Sequence, residues 1–200
     1  MPSLVTPVLP AGTLSGRPQP TLPAGAGLTL RPWAEPDAPA VHTAFRDPTI
    51  QQWHSRRTAS PDEARELIRG WRAAWAGEVD AHWAVADAAT DDVLGRISLR
   101  ETLLAGGLTQ VAYWTLPAAR GRGVAPRAVE ALTRWAFDEI GFHRIELNHA
   151  VSNGSSCRVA LKCGFAAEGT ARSALLHRDG WHDMHRHARV RSDPAPGAGA

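Results

Sequence analysis

The sequence predicts a mixed α/β fold, and three stretches predict it. Residues 111–116 are β-branched, aromatic or apolar and stop at Pro117, which cannot donate to a strand ladder. Beyond a glycine-bearing turn, Val124, Val129, Leu132, Ala136 and Ile140 recur at helical spacing. Residues 81–86 and 93–101 flank the turn at 88–92 and read as an antiparallel hairpin.

Composition bounds the class. The chain has 200 residues, 44% hydrophobic and 21% charged, as expected for one soluble domain large enough to bury a core. No apolar run approaches a bilayer span and the start lacks a basic, then apolar, leader, so a cytoplasmic protein with no membrane partner is expected. A net charge of +2 does not call for a nucleic-acid partner. Cys157 and Cys163 sit on one short segment, which argues against a disulfide framework and a four-ligand zinc site.

Taken in order, residues 1–26 are crowded with Pro, Gly, Ala and Thr without a period and read as a flexible tail. Residues 28–32 alternate as a short strand ended by Pro32. Residues 35–46 suggest a helix broken at Asp47-Pro48, with a short helical piece over 50–54. Ser60-Pro61-Asp62-Glu63 is a capping box, and Ala64, Leu67, Ile68, Trp71 and Trp75 follow on one helical face as far as Gly77. Gly106-Gly107 turns the chain into the strand at 111–116, and Gly141 stops the helix at 124–140. Residues 143–151 alternate as a strand. Asn153 caps a helix through Lys162, with Gly164 past its end. Residues 165–175 and 181–191 form a last hairpin across Arg178-Asp179-Gly180, and 192–200 read as a disordered tail. Of the eight tryptophans, some of Trp33, Trp53, Trp71, Trp75 and Trp83 could line a cleft; the helical spacing of Trp71 and Trp75 favours the core.

The turn at 120–125 is a strand, a glycine loop and a helix N-terminus in succession. Unpaired N–H groups, the helix dipole and missing Cβ atoms suit that arrangement to a phosphate or pyrophosphate. A Walker loop is excluded because Lys162 is the only lysine. A dinucleotide fingerprint is weak because Pro126 takes its third glycine position. The pattern Arg/Gln-x-x-Gly-x-Gly/Ala is met by Arg120, Gly123 and Ala125. Together with Asn153-Gly-Ser-Ser156 and Lys162-Cys-Gly-Phe165 downstream, it makes the chain resemble the GCN5-related N-acetyltransferase (GNAT) family over about residues 28–190. Tyr113-Trp114, the Asn-x-x-Ser segment and Gly180-Trp-His-Asp183 are most similar to its RimJ/RimL branch.

The resemblance implies one GNAT domain over 27–191: a mixed central sheet, an antiparallel N-terminal meander, a splayed parallel pair and helices on both faces. It implies acetyl-CoA as acyl donor and no metal, with pantetheine inserted between the strands at 111–116 and 143–151. Backbone groups of Trp114, Thr115 and Leu116 would meet its amides and the thioester carbonyl. The N–H groups of Gly121, Arg122, Gly123, Val124 and Ala125, with the Arg120 and Arg122 guanidiniums, would hold the pyrophosphate. The acceptor is a primary amine on a protein or peptide N-terminus or a small molecule, attacked directly in a ternary complex; a homodimer is compatible with the family.

Acyl transfer needs a neutral amine, a stabilised oxyanion and a proton for the thiolate. The family's usual tyrosine acid is replaced here by Ala160, so by resemblance Ser156 inherits that role, with Asn153 positioning cofactor or water; both residues could instead serve only the helix start. Glu101 and His149 are candidate bases, though a solvated strand edge suits each better, and an α-amine needs little help. Asp183, His185 and His187 share one strand face, but no further ligand is evident in the sequence and acyl transfer needs no metal. Cys157 reads as a packed helix residue rather than a nucleophile. Two alternatives stand beside the transferase: a non-catalytic acyl-CoA-binding module, and an acetyltransferase acting on charged tRNA through Arg56, Arg57, Arg65, Arg69 and Arg72, which more simply read as a solvated helix face.

Overall fold

The computed structural model describes residues 4–54 and 56–196. One eight-stranded sheet forms the middle layer, in the order β1-β2-β3-β4-β5-β6-β8-β7. The strands are β1 (Leu22–Pro23), β2 (Leu28–Pro32), β3 (Ala81–Asp87), β4 (Val93–Leu103), β5 (Leu108–Thr115), β6 (Arg144–Ala150), β7 (Ala166–His177) and β8 (Gly180–Val190). Helices α1 (Ala38–Arg46), α2 (Pro48–Trp53) and α3 (Pro61–Gly77) precede β3. Helix α4 (Val124–Trp135) runs into a π-helical turn (Ala136–Ile140), and α5 (Gly154–Lys162) links β6 to β7.

Every neighbouring pair of strands is antiparallel except β5 and β6. That parallel pair runs only from Leu108↔Arg144 to Gln110↔Glu146. β5 therefore starts three residues before the apolar run that marks it in sequence, because residues 108–110 are in the sheet through pairing rather than through hydrophobicity. Beyond Gln110 the two strands part.

Local chemistry sets the helix ends. The Ser60 hydroxyl accepts the Glu63 N–H at 3.2 Å while the Glu63 carboxylate accepts the Ala59 N–H at 2.8 Å, which starts α3 where the capping box predicts. Its end also falls where the sequence puts it. Gly77 is the last helical residue, and Glu78 takes the left-handed conformation, φ 55°.

Glu78 explains the fate of the N-terminal segment. Its carboxylate accepts the N–H groups of Gly12, Leu14 and Ser15 at 2.7, 2.6 and 3.0 Å. The Trp75 and Trp83 indoles donate to the carbonyls of Arg17 and Pro20, each at 2.8 Å. Leu14 is 0% exposed, and β1 pairs with β2. Residues 8–26 are thus part of the domain and not the flexible tail that composition suggests. A polar-poor segment satisfies two buried indole donors that the core could not otherwise pair. The expected C-terminal tail at 192–200 lies outside the described residues from 197 onward; before that, the Asp193 carboxylate accepts the Val190 N–H at 2.9 Å at the end of β8.

Two cores flank the sheet. One joins α4 and α5 to Trp83, Ile97, Val111, Ile145, Leu147 and Phe165. The other joins α1 and α3 to Trp33, Phe45, Ala84 and Trp114. Trp33, Trp71, Trp75 and Trp83 are all buried, as helical spacing indicates for two of them. Among the described residues no helix is long and apolar enough to cross a membrane.

If the N-terminal segment is structural, Leu14→Ala leaves a cavity beneath it and lowers unfolding free energy by about 2–4 kcal/mol in urea titrations; a flexible tail would give no change.

Candidate functional site

The parting of β5 and β6 creates the site. Each β5 residue from Val111 to Thr115 still pairs with β4, but the opposite backbone edge has no strand beside it. Just past that edge the chain turns through Gly121 and Gly123, with φ of 74° and 72°, and enters α4. A Cβ at Gly121 would meet nothing within 4 Å, whereas one at Gly123 would lie 2.9 Å from the Arg127 guanidinium. The first-turn N–H groups of Val124 and Ala125 have no intrahelical acceptor, and Pro126 has no N–H. This is an open, dipole-assisted cradle for an anion.

A cavity of about 470 Å³ runs along this edge, lined by Trp114, Thr115, Arg120, Gly121, Gly123, Val124 and Ala125 among others. Two predicted residues are placed differently. Leu116 is outside the lining, because its N–H donates to the Leu94 carbonyl at 2.9 Å and is spent on the sheet. Arg122 also lies outside, its carbonyl accepting from the Arg127 guanidinium at 2.7 Å. Arg120 lines the cavity, but its guanidinium is engaged, 2.5 Å from Asp47. Asp47 also caps α2 by accepting the Ile50 N–H at 2.9 Å. Burial pushes the Asp47 carboxyl upward, but Arg120 and the Ile50 N–H outweigh it, so its pKa lies below the ordinary 3.8.

A second cavity, about 390 Å³, lies between the open ends of β5 and β6 and the β7–β8 hairpin. Trp53, His54, Tyr113, Asn153 and Ser156 line both cavities and so mark where they meet. Asn153 does cap α5, accepting the Ser156 N–H at 3.1 Å, and this cap holds Ser156 at the junction. The Tyr113 hydroxyl is enclosed there, faces Ser156 and has no hydrogen bond of normal length. Burial pushes its pKa up to about 12 despite the opposing effect of Ser156. In sequence Tyr113 marks a strand and part of the branch resemblance but carries no site role; nothing in strand periodicity says which side chain will face a helix start forty residues later.

The candidate bases divide. Glu101 lines the second cavity, is exposed, holds φ 51° and accepts from the Gln110 amide at 3.0 Å. His149 is not on a solvated edge: it is 4% exposed, and burial, with His187 and His185 beside it, lowers its pKa. His54 is held neutral, its pKa lowered to about 3 by burial and then by Arg96, Arg100 and Arg56. Asp183 stands apart from the histidines on its strand, accepting the Ser173 N–H at 2.8 Å where Ser173 takes φ 46°. Cys163 is buried, its thiol 3.4 Å from the Pro126 carbonyl and pushed up to about 12 by burial, while Cys157 is half-buried near His149, His185 and His187.

Residues 27–166 match the family model described as an acetyltransferase (GNAT) domain. The chain is 33% identical over 104 residues to "Probable N-acetyltransferase YjcK" of Bacillus subtilis, covering 51% of this chain and 57% of the relative. It is 27% identical over 100 residues to the ribosomal-protein-serine acetyltransferase of Escherichia coli, covering 50% and 56%. The chain thus spans little more than half the length of these two curated relatives. Among solved structures, RimL, titled a ribosomal alpha-N-protein acetyltransferase in complex with coenzyme A, superposes with a TM-score of 0.79 at 20% identity, covering 86% of this chain and 98% of that one.

Because the folded state lowers the pKa of Asp47, its contribution is complete above the ordinary carboxylate pKa and is lost as pH falls through that range. Asp47→Asn should therefore lower Tm at pH 7 and flatten the fall in Tm between about pH 5 and pH 3, read by circular dichroism melts across pH.

Proposed function

This chain belongs to the GNAT acetyltransferase family, and from that membership we propose that it moves an acetyl group from acetyl-CoA to a primary amine, foremost the α-amine of a protein or peptide N-terminus, by direct attack in a ternary complex. The observation that carries this reading is the junction of two cavities at Tyr113, Asn153 and Ser156, one leading from the glycine turn and the other from the β7–β8 hairpin. A donor and an acceptor entering from opposite sides would meet there. The ribosomal-protein acetyltransferases among its relatives favour a protein amine as acceptor.

The residues fit the donor. The positive φ at Gly121 and Gly123 and the empty space above Gly121 leave room for a pyrophosphate against the α4 N-terminus. Gly121, Gly123, Val124 and Ala125 hold it by backbone, while Asp47 fixes the Arg120 guanidinium at the rim. The free edge of β5 offers the backbone groups of Tyr113 and Thr115 as a neighbouring strand would, whereas Trp114, like Leu116, turns its backbone towards β4. When bound, acetyl-CoA supplies a thioester whose acyl group is open to attack by a neutral amine.

The protein then manages protons. Ser156, with its N–H on Asn153, and the neutral Tyr113 phenol present two hydroxyls at the junction, and one donates to the departing sulfur. Tyr113 approaches from the strand and so replaces the phenol that Ala160 lacks on α5. An α-amine has a pKa of about 8 and loses its proton to water without a dedicated base. At α3, Arg65 pairs with Asp62 and Arg69 with Glu66, which supports a solvated helix face over an RNA-binding one for these two arginines.

Purified protein with acetyl-CoA should release free thiol when offered N-terminal peptides, in preference to aminoglycosides, polyamines or free amino acids. Thermal stabilisation by CoA without thiol release from any acceptor would instead support a binding module. Of Ser156→Ala and Tyr113→Phe, the one that removes the acid lowers kcat by about 100-fold or more while CoA still raises Tm as in wild type. Gly123→Val, which forces a β-branched residue to positive φ against Arg127, weakens CoA binding by about tenfold or more in calorimetric titration.

A further inference from the structure

We propose that His149, Cys157, His185 and His187 form a four-ligand site for a zinc-type divalent metal where α5 meets β6 and β8, a site that the transferase reaction does not require. One ligand atom from each residue lies within 4.8 Å of every other. His149 on β6 stands directly opposite His185 on β8, and His187 lies two residues further along the same face of β8, opposite Leu147. Cys157 reaches the group from the first turn of α5. Two adjacent strands and a helix thus deliver four donors to one point.

The two buried histidines meet through their inner nitrogens. His149 Nδ1 lies 2.8 Å from the Ala150 carbonyl, and His187 Nδ1 lies 3.4 Å from the Phe165 carbonyl. A carbonyl only accepts, so the short contact places the His149 proton on Nδ1 and leaves its Nε2 with a lone pair, while the longer contact leaves His187 able to donate from Nε2 or to present a second lone pair. The two Nε2 atoms are 3.2 Å apart, in residues 4% and 2% exposed. That spacing is filled by a shared proton or by a metal ion, and the two further donors within 4.8 Å favour the metal. Anchoring the outer N–H on a backbone carbonyl is also how metal-ligating histidines are oriented.

The donor set selects the ion. Three imidazoles and one thiolate suit tetrahedral zinc, around which ligand atoms stand roughly 3.3–3.8 Å apart. The two Nε2 atoms are already near that spacing, and the remaining donors close in by at most about 1.5 Å. Binding deprotonates the Cys157 thiol, the proton leaving to solvent. With all four positions filled by protein, the ion would be structural. It would tie the first turn of α5, and hence Ser156 next to Cys157, to β6 and β8.

The test uses untagged full-length protein. Purified without chelator, the wild type should carry on the order of one zinc per chain by elemental analysis. Cys157→Ser and His187→Gln should lose most of it while keeping the wild-type far-ultraviolet circular dichroism spectrum. After stripping, zinc in about 100-fold excess over Kd should raise the wild-type Tm by about 5–10 °C and leave the variants nearly unmoved. Cobalt(II) should give tetrahedral ligand-field bands and a thiolate charge-transfer band, the latter absent in Cys157→Ser. Bands without the charge-transfer feature would overturn the assignment of Cys157. No retained metal, no Tm shift and no cobalt spectrum in the wild type would overturn the site, leaving a histidine pair that shares a proton. None of these readouts depends on acetyl transfer.

Discussion

The molecule depends on one interrupted pairing. β5 and β6 share three registered positions, Leu108 to Gln110 against Arg144 to Glu146, and then separate while each stays bonded to its other neighbour. An unpaired strand edge inside a protein is costly unless something satisfies it, and a ligand with amide groups can. The glycine turn, the start of α4 and the cap of α5 all gather at the mouth of this gap. A fully zipped sheet would have no cleft there.

Several polar groups tie distant segments to that gap by serving two elements at once. Asp47 caps α2 and holds Arg120 at the turn before α4. Asn153 starts α5 and so places Ser156 between the two cavities. Glu78 ends α3 in a left-handed conformation and collects three N–H groups of the N-terminal segment. The conformational cost at Glu78 is offset by contacts made sixty residues away, which is why no local rule anticipates it.

The histidines follow the same logic at higher stakes. β8 alone carries His185 and His187, and their alternation shows only a shared face. It takes the antiparallel register with β6 to bring His149 opposite, and the docking of α5 to bring Cys157. Asp183, which the same alternation would include, is diverted to the Ser173 backbone. A strand pattern gives a face, whereas a site needs several faces to converge.

By itself, the sequence determined what is local. The capping box at Ser60, the breaks at Asp47-Pro48 and Pro117, the glycine stops at Gly141 and Gly164 and the strand alternations each act within a few residues, and the elements form there. The glycine turn and the Asn-x-x-Ser segment were legible because their chemistry is largely backbone and contiguous. Tertiary structure decided what depends on partners: the packing of residues 8–26 against Glu78, Trp75 and Trp83, the arrival of Tyr113 at Ser156, the use of the Leu116 N–H by Leu94, and the assembly of His149 and Cys157 with His185 and His187. The physical reason is range. Propensity, caps and breakers are set by neighbours in the chain, but hydrogen-bond satisfaction and burial are settled only when segments far apart in sequence compete for the same donors and the same space.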